Sequence, residues 1–366
     1  MCKIFNTVGS LNEIQYHLKR HNLYEFTSVE ELIDFQRSYH FARQQIILSH
    51  TEQIKQEIIT LKKHIVQLND SISTRKREVQ ERTEERLRDL YRQKKYLQTP
   101  DSKLTAIIRG YYVNFTIWMK IWFTRIKHPY KLFFVLLQSN LYLFKKSKRF
   151  NYITANFHKV LDQSSTSQLQ MLRKKKAVID EINNSIYGAI GEQKVVNMLE
   201  NLSDDYILIN DFIYSFQPPL YQREENNHIK SVQIDHILVS LSGIFIIETK
   251  NWSEMSIVNP NLYSPVQQVK RANFALYKIL TGGNRSSINL KKSHWGSRKI
   301  PIRNIIVFVN KRPIEEFQYV KMLSLTELQP YIKYFSSCFT LNETQIIADF
   351  LLRISDKRDL PNKLVF

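Results

Sequence analysis

The sequence predicts an α+β protein, in which a long N-terminal helical region precedes a domain of mixed strands and helices. Residues 29–98 contain neither Gly nor Pro, and their apolar side chains recur at helical spacing. Residues 231–250 alternate in polarity around a Ser-Gly dipeptide, which predicts two strands joined by a tight turn. Helical spacing in residues 188–202 and beyond Pro265 places helices on either side of these strands.

The chain has ample material for a core over its 366 residues, because 43% of them are hydrophobic and 12% are aromatic. We divide it into a coiled-coil arm at 1–100, a basic aromatic helical block at 101–162, a basic linker helix at 163–185 and a domain at 186–366. From Ser324 onward, two amphipathic helices are expected to cover the sheet of that domain.

The formal charge of +19 and the pI near 9.7 indicate a polyanionic partner, either nucleic acid or an anionic membrane surface. The two cysteines, Cys2 and Cys338, form neither a metal-ligand cluster nor a disulfide framework, which favours a reducing cytoplasm. The N-terminus lacks the apolar core of a secretory signal. The phosphate-binding motif G-x-x-x-x-G-K-[ST] is absent from the sequence, so no nucleotide cofactor is expected.

Within the long helix, apolar residues recur three and four positions apart, as in the seam of a coiled coil. They are Ile54, Ile58, Leu61, Ile65, Leu68, Ile72 and Val79. The turns that follow are dense with charges of both signs, so the helix would be marginal without a partner. We expect it to pair with itself in a dimer, through residues 41–98, or to fold back on another helix of the chain.

Residues 102–161 contain no Asp or Glu and combine aromatic runs with Lys and Arg. Neither apolar run reaches the roughly 18 to 20 residues that span a bilayer, because Lys120 and the segment RIKHPYK interrupt them. Three interpretations stay open. The block is a buried helical hairpin that packs on the coiled coil, an element of the membrane interface, or the lining of a nucleic-acid channel.

The predicted hairpin carries three charged residues, Asp235, Glu248 and Lys250. A turn at 241–242 places Asp235 opposite Glu248, whereas a turn at 242–243 places it opposite Lys250, and either turn puts all three on one face. Two carboxylates about 5 Å apart repel by roughly 3 kcal/mol at an effective dielectric near 20. A bound Mg²⁺ or Mn²⁺ would relieve this repulsion, with Lys250 directed at a water or a phosphate. The simpler alternative is an ion pair between Asp235 and Lys250, with Glu248 solvated.

Five motifs occur in order along the chain: GxxGE, IDHILVS, GIFIIETKNW, SPVQQ and IIVFVN. Together they resemble the nuclease-related domain family, NERD, a branch of the PD-(D/E)XK restriction-endonuclease-like superfamily, over about residues 186–312. The resemblance implies an αβββαβ core and a metal-dependent phosphodiesterase site. The residues to which it assigns catalytic roles are Glu192, Asp235, Glu248, Lys250 and the accessory Gln268. The three acids are the metal ligands that it implies.

Two positions depart from the family pattern. The family's Asn-Pro-x-x-Gln becomes Ser-Pro-Val-Gln-Gln at 264–268, and a Gly that often follows Lys-x-Trp is replaced within 253–255. Neither departure touches a metal ligand that the resemblance implies. His236 lies beside Asp235, but strand alternation sends it to the opposite face, so we expect it to be structural.

Basic segments flank the predicted site. The loop after the second domain helix carries cations around one Trp, a pattern typical of contacts to a nucleic-acid backbone. The candidates are Arg285, Lys291, Lys292, Trp295, Arg298 and Lys299. The Arg-Lys-Lys-Lys run at 173–176 is either a solvated face or a further set of phosphate contacts.

Two functional hypotheses follow from the sequence. The first is a Mg²⁺-dependent nuclease with DNA as its expected substrate. The second is a catalytically silent scaffold that binds nucleic acid or a membrane and self-associates through the coiled coil. A third hypothesis combines them: the basic aromatic block holds a cytoplasmic nuclease at the inner membrane face, where it meets incoming foreign DNA.

Overall fold

The computed structural model describes residues 1–96, 104–223, 226–252, 263–282, 300–356 and 364–366. The chain divides into two compact units. The first, which we call the sheet unit, combines Met1–Ser38 with Lys174–Phe366, and the second, which we call the helical arm, is Tyr39–Arg173. The α+β class predicted from the sequence is confirmed.

The secondary structure of the described residues begins with a short strand and two helices. The helices are α1 (Gly9–Arg20), α2 (Val29–Tyr96), α3 (Leu104–Ala155), α4 (Phe157–Glu181), α5 (Asn183–Glu200), α6 (Tyr263–Thr281), α7 (Leu325–Lys333) and α8 (Leu341–Ile354). The strands are β1 (Lys3–Phe5), β2 (Ile207–Gln222), β3 (Asn227–Ser240), β4 (Gly243–Lys250), β5 (Ile302–Phe308) and β6 (Lys321–Ser324).

The strands form one mixed sheet in the order β1-β2-β3-β4-β5-β6. Strands β2, β3 and β4 are antiparallel neighbours, whereas β5 runs parallel to β4 and β6 runs parallel to β5. The succession α5-β2-β3-β4-α6-β5 is the αβββαβ order that the sequence resemblance implied.

Helices cover both faces of the sheet. Along β4, Ile244 and Ile246 join a core with α6 and α8, while Phe245 and Ile247 join a second core with α1, α5 and α7. This alternation is the period of two expected of a strand, and burial on both faces explains the nearly continuous apolar run of β4. The two tail helices cover the sheet as predicted, and Thr340 and Glu343 form a capping box at the start of α8.

Residues 1–38, predicted from the sequence to belong to the arm, pack against the sheet. Strand β1 pairs in parallel with β2, through Lys3–Phe5 and 207–209. Leu11 and Ile14 of α1 are buried in the same core as α5. The sequence pattern of α1 does not reveal this packing, because α1 is a short, polar helix whose apolar face contains only a few residues.

In the helical arm, α2 folds back on α3, which is the second of the two expected partners. Ile54, Leu61 and Val79 of the predicted seam are buried. The two helices run antiparallel, because contacts with rising numbers in α2 have falling numbers in α3. These contacts are Glu57–Arg149 at 2.9 Å, Arg75–Ser139 at 3.2 Å and Tyr91–Arg125 at 2.8 Å. Self-association through 41–98 stays a prediction.

The basic aromatic block contains one continuous helix, α3, and not the helical hairpin of the first interpretation. Its buried stripe includes Ile117, Ile121 and Leu136, and it continues past Pro129. Packing of this stripe on α2, on both sides of the proline, offsets the backbone hydrogen bond that Pro129 cannot donate. Among the described helices, none has a stretch long and apolar enough to cross a bilayer.

Candidate functional site

The turn between β3 and β4 fixes how the charged residues face one another. Ser240 pairs with Gly243, so the turn residues are Leu241 and Ser242. The Ser240 hydroxyl donates to the Gly243 carbonyl at 3.0 Å and accepts from the Ser242 amide at 3.2 Å. Gly243 has φ of 132°, which a residue with a side chain rarely adopts.

This register selects one of the two pairings left open by the sequence. The last regular pair is His236 with Ile247, so Asp235 falls opposite Glu248 and not opposite Lys250. Beyond that pair, the Thr249 backbone amide donates a hydrogen bond to Asp235 Oδ2 at 2.9 Å. The carboxylate of Asp235 is thereby held against the end of β4.

A cavity of about 720 Å³ opens at this end of the sheet. It brings together the four charged residues singled out in the sequence, Glu192, Asp235, Glu248 and Lys250. Polar and aromatic side chains from the surrounding elements complete its wall: Ser10, Asn184, Tyr187, Asn251, Trp252 and Asn310. The cavity is therefore a polar pocket that contains three carboxylates and one ammonium group among its charged side chains.

Glu248 and Lys250 form a partly buried ion pair, with Lys250 Nζ 2.7 Å from Glu248 Oε1. Burial raises the pKa of Glu248, while Lys250 and a hydrogen bond from Gln268 oppose that rise. Burial also lowers the pKa of Lys250, but the neighbouring carboxylates outweigh it and hold this pKa above its ordinary value. Lys250 is therefore an ammonium cation at neutral pH.

Asp235 is surrounded by negative charge. Desolvation raises its pKa well above the ordinary value, and the carboxylates of Glu248 and Glu192 raise it further. The Thr249 amide and Lys250 oppose this rise, but they do not cancel it. The arrangement therefore binds a proton more readily than an isolated Asp does.

Glu192 on α5 is buried and is held by a residue far away in sequence. The Ser10 backbone amide donates to Glu192 Oε2 at 3.3 Å, and the Ser10 hydroxyl forms a short hydrogen bond to Oε1. Burial raises the pKa of Glu192 to about 7, against the lowering effect of these two hydrogen bonds. Sequence reasoning missed Ser10, because no local pattern connects α1 with a helix more than 160 residues later.

The comparisons with known proteins point to the same stretch of chain. Residues 187–309 match the model of the nuclease-related domain, NERD. This match agrees with the family that the sequence motifs predicted. The match contains the four charged cavity residues and Gln268, while Ser10 and the helical arm lie outside it. No curated protein and no solved structure matches the chain.

The GxxGE motif of the nuclease-related domain has a steric explanation. A Cβ atom on Gly191 would lie 2.8 Å from Asn251 Cβ, and one on Gly188 would lie 2.8 Å from the Ser10 hydroxyl oxygen. Both glycines therefore allow close approach, Gly191 to the end of β4 and Gly188 to α1. This approach brings Glu192, on the same helix, to the cavity.

His236 takes a structural position, as its place in the strand predicted. Its side chain is fully buried, and Nδ1 lies 2.7 Å from Asn210 Oδ1 on β2. Burial lowers the pKa of His236 to about 3, so the imidazole is neutral at physiological pH. A neutral ring bonded to Asn210 stabilises the pairing of β2 with β3.

The chemistry of the donor atoms in the cavity suits a hard divalent cation. Glu192, Asp235 and Glu248 offer only oxygen atoms, which suit Mg²⁺ and Mn²⁺. All three carboxyl groups have raised pKa values, chiefly because burial removes their solvation; neighbouring carboxylates add to the rise at Glu192 and Asp235, whereas Lys250 and Gln268 oppose it at Glu248. A bound cation would stabilise the charged form of all three.

The predicted nucleic-acid-binding loop is a different case. Arg285, Lys291, Lys292, Trp295, Arg298 and Lys299 lie outside the described residues. Their assignment therefore stays a prediction from the sequence.

Proposed function

We propose that the nuclease-related domain is a divalent-metal-dependent nuclease of the PD-(D/E)XK type that hydrolyses DNA phosphodiester bonds. The observation that carries the proposal is the convergence of three carboxylates and one lysine in a single cavity at the end of β3 and β4. Structural ion pairs balance their charges, whereas three carboxylates and one ammonium group leave an excess of negative charge that a bound cation would offset.

The side chains of Glu192, Asp235 and Glu248 would hold Mg²⁺ or Mn²⁺. Bound there, the metal would act as a Lewis acid on the phosphate and lower the pKa of a bound water. The Thr249 amide fixes Asp235, and Ser10 fixes Glu192, so two of the three acids are held in place before any ligand arrives.

Lys250 supplies positive charge to the reaction. Because its pKa is raised, it stays protonated and cannot serve as a general base at neutral pH. Its ammonium group would orient the attacking water and stabilise negative charge that develops on the phosphate. Gln268, through its hydrogen bond to Glu248, keeps that carboxylate in position.

A polyanionic substrate agrees with the charge of the chain. The net charge of +19 attracts DNA and RNA alike, and phosphate contacts make such binding sensitive to salt. We take DNA as the substrate and treat RNA cleavage as an outcome that the assay must distinguish.

A second candidate function is nucleic-acid binding without cleavage. The observation that favours it is that Glu248 is already paired with Lys250 and Glu192 with Ser10. A domain that keeps these contacts would hydrolyse nothing, and the excess of Lys and Arg over the whole chain would bind a phosphate backbone.

The experiment is incubation of the purified chain with linear, nicked and circular DNA, and with single-stranded RNA, in EDTA, Mg²⁺ or Mn²⁺. We expect DNA cleavage only with a metal, and a loss of about 1000-fold or more in Lys250→Ala and Asp235→Ala. Lys230→Ala is the matched control, because Lys230 is exposed on β3 outside the cavity.

Undiminished metal-dependent cleavage by Lys250→Ala or Asp235→Ala would overturn the assignment. Salt-sensitive DNA binding without any product, in wild type and variants alike, would establish the binding function instead.

A further inference from the structure

The outer side of α3 exposes a long apolar face. Only one stripe of the helix packs on α2, and aromatic side chains cover the opposite side. We call this opposite side the outer face of α3; it includes Phe115, Trp118, Trp122, Phe133, Phe134 and Phe144. Phe134 is 70% exposed and Phe144 is 66% exposed. From Tyr111 to Phe144 the face is about 50 Å long at 1.5 Å per residue.

An exposed apolar face of this length requires an occupant. Soluble proteins rarely expose contiguous apolar patches of this size, and larger ones mark sites of protein or membrane contact. Single exposed apolar residues would need no explanation, but here they recur on every turn of the helix.

Cations run along one flank of this face. Arg109, Lys120, Lys127, Lys131 and Lys145 are separated by 11, 7, 4 and 14 positions, which are close to whole numbers of helical turns. Residues 102–161 contain eleven Lys or Arg and no Asp or Glu. The helix therefore has a cationic flank beside its apolar face, and its own sequence places no negative charge there.

Part of this cationic flank forms one wall of a groove between α2 and α3. The groove has a volume of about 520 Å³, and its cations are Arg82 and Arg86 of α2 and Lys120, Lys127 and Lys131 of α3. Among the residues that the structure describes, none of these five cations has an ion-pair partner. Five such cations repel one another, and an anion in the groove would offset that repulsion.

The helices are held together at the groove by a polar contact. His128 Nδ1 lies 3.0 Å from Thr83 Oγ1, so the two walls are joined at this level. Beside it, the Lys127 ammonium lies 5.7 Å from the centre of the Phe123 ring. A phosphate group in the groove would thus lie next to the border of the apolar face.

Because the cationic groove lies beside the apolar outer face of α3, an occupant must satisfy both surfaces. A second copy of α3 would bring two acid-free, cationic flanks together, which costs electrostatic energy. Nucleic acid would satisfy the cations but would leave aliphatic side chains such as Leu137 and Leu141 in water, because bases stack on aromatic rings. An anionic bilayer satisfies both, since acyl chains cover the apolar face and phosphate headgroups meet the cations.

We propose that the outer face of α3 docks in the interface of an anionic phospholipid bilayer, with a lipid phosphate headgroup in the groove between α2 and α3. The helix lies in the plane of the interface, since no described helix can cross the bilayer. Trp118 and Trp122 then take the position between headgroups and acyl chains that tryptophan favours. This inference concerns the helical arm alone and does not depend on nuclease activity.

The test is flotation of the full chain with vesicles of phosphatidylcholine, alone or with about 30% phosphatidylglycerol. We expect binding to the anionic vesicles and little binding to the neutral ones. Lys127→Glu/Lys131→Glu should weaken binding by about 30-fold or more. Lys62→Glu/Lys63→Glu is the matched control with the same charge change, because both residues are exposed on α2 outside the groove, and it should retain most of the binding.

The apolar contribution is tested separately. Phe133→Ser/Phe134→Ser should reduce vesicle binding, whereas Ile59→Ser/Val66→Ser, which changes exposed apolar residues of α2, should not. Tryptophan fluorescence should shift to the blue on binding, and the shift should disappear in Trp118→Phe/Trp122→Phe. Unchanged far-UV circular dichroism would show that every variant keeps its helices.

Three outcomes would overturn the proposal. The first is equal binding to anionic vesicles by Lys127→Glu/Lys131→Glu and by its control Lys62→Glu/Lys63→Glu. The second is a concentration-dependent dimer, detected by light scattering, that protects residues 111–144 from hydrogen exchange without vesicles, which would assign the face to a second copy. The third is absent vesicle binding together with a loss of DNA affinity in Lys127→Glu/Lys131→Glu but not in Lys62→Glu/Lys63→Glu, which would assign the groove to nucleic acid.

Discussion

Two polar cavities, one in each unit of the described chain, carry opposite charge and differ in how their residues are brought together. The cavity of the sheet unit has three carboxylates, two of them buried and one half-buried, and one lysine, drawn from α5 and the ends of β3 and β4, with Ser10 of α1 beside them. The groove of the helical arm has cations on two neighbouring helices, at positions several turns apart and open to solvent. The first therefore depends on packing of distant segments, whereas the second depends only on the pairing of two helices.

The difference explains why the two regions should respond differently to ions and to substitution. Buried carboxylates have shifted pKa values and couple strongly to bound cations and to small displacements of the backbone. Exposed cations are screened by water and salt, so each contributes little alone and they act as a group. The following predictions test this contrast.

The largest expected effect is stabilisation of the sheet unit by a divalent cation at alkaline pH. Burial raises the pKa of Glu192 from its ordinary value of 4.5 to about 7, so the metal-free protein loses stability as pH rises from about 4.5 through 7. Mg²⁺ or Mn²⁺ at about 100 times its Kd at pH 8 should restore about 2.7 kcal/mol, and the same concentration should restore less at pH 6, because protons compete with the metal.

Differential scanning calorimetry measures this effect at both pH values. Asp235→Asn is the control, since it keeps the shape of the side chain but removes the charge, and its transition should hardly move with metal. An equal shift at pH 6 and pH 8, or an undiminished shift in Asp235→Asn, would contradict a metal site in the cavity.

Gly191 of the sheet unit and Gly110 of the helical arm differ in the space around them. In Gly191→Ala, the new Cβ would lie 2.8 Å from Asn251 Cβ, so α5 must move away from β4 at a cost of about 2 kcal/mol. In Gly110→Ala on α3, a Cβ would meet nothing within 4 Å, and the helix should gain about 0.5 to 1 kcal/mol.

Chemical denaturation followed by circular dichroism gives both values, and cleavage assays should show a loss only in Gly191→Ala. If both alanine substitutions changed the free energy of unfolding in the same direction, close packing would not explain the glycines of the GxxGE motif.

A smaller effect is expected at Ser10, which we infer positions Glu192. Ser10→Ala removes the hydroxyl bond but keeps the backbone amide, so the pKa of Glu192 should rise above about 7. Activity near pH 7 should fall about 10-fold and recover at higher pH, because the carboxylate is then ionised again.

The pH dependence of the cleavage rate measures this shift, and Ser10→Thr, which keeps a hydroxyl, should restore the original profile. A uniform loss of activity at every pH would indicate a general structural effect, and an unchanged profile would exclude a positioning role for Ser10.

The smallest effect is expected at the exposed ion pair of the arm. Arg149 and Glu57 lie 2.9 Å apart, but their side chains are 48% and 39% exposed. Arg149→Met should therefore cost only about 0.5 kcal/mol of unfolding free energy in a denaturant titration. A cost above about 2 kcal/mol would show that the arm depends on specific charges as strongly as the cavity does.

The sequence predicted the parts of the fold that depend on local patterns. The heptad spacing located the seam of α2, and polarity alternation located β3, β4 and the face shared by Asp235, Glu248 and Lys250. The family resemblance added Glu192 and Gln268, which the structure brings to the same carboxylates. Local spacing left the register of the hairpin open, because either turn of two residues satisfies it.

Only the tertiary structure decided the remaining features. It selected the turn at Leu241 and Ser242, joined residues 1–38 to the sheet, and placed Ser10 on Glu192. It also showed that α3 is one helix with an exposed outer face, whereas the aromatic pattern of the sequence favoured a buried hairpin. The physical reason is that spacing along a chain determines which side chains share a face, whereas the partner of that face is chosen by the packing of segments far apart in sequence.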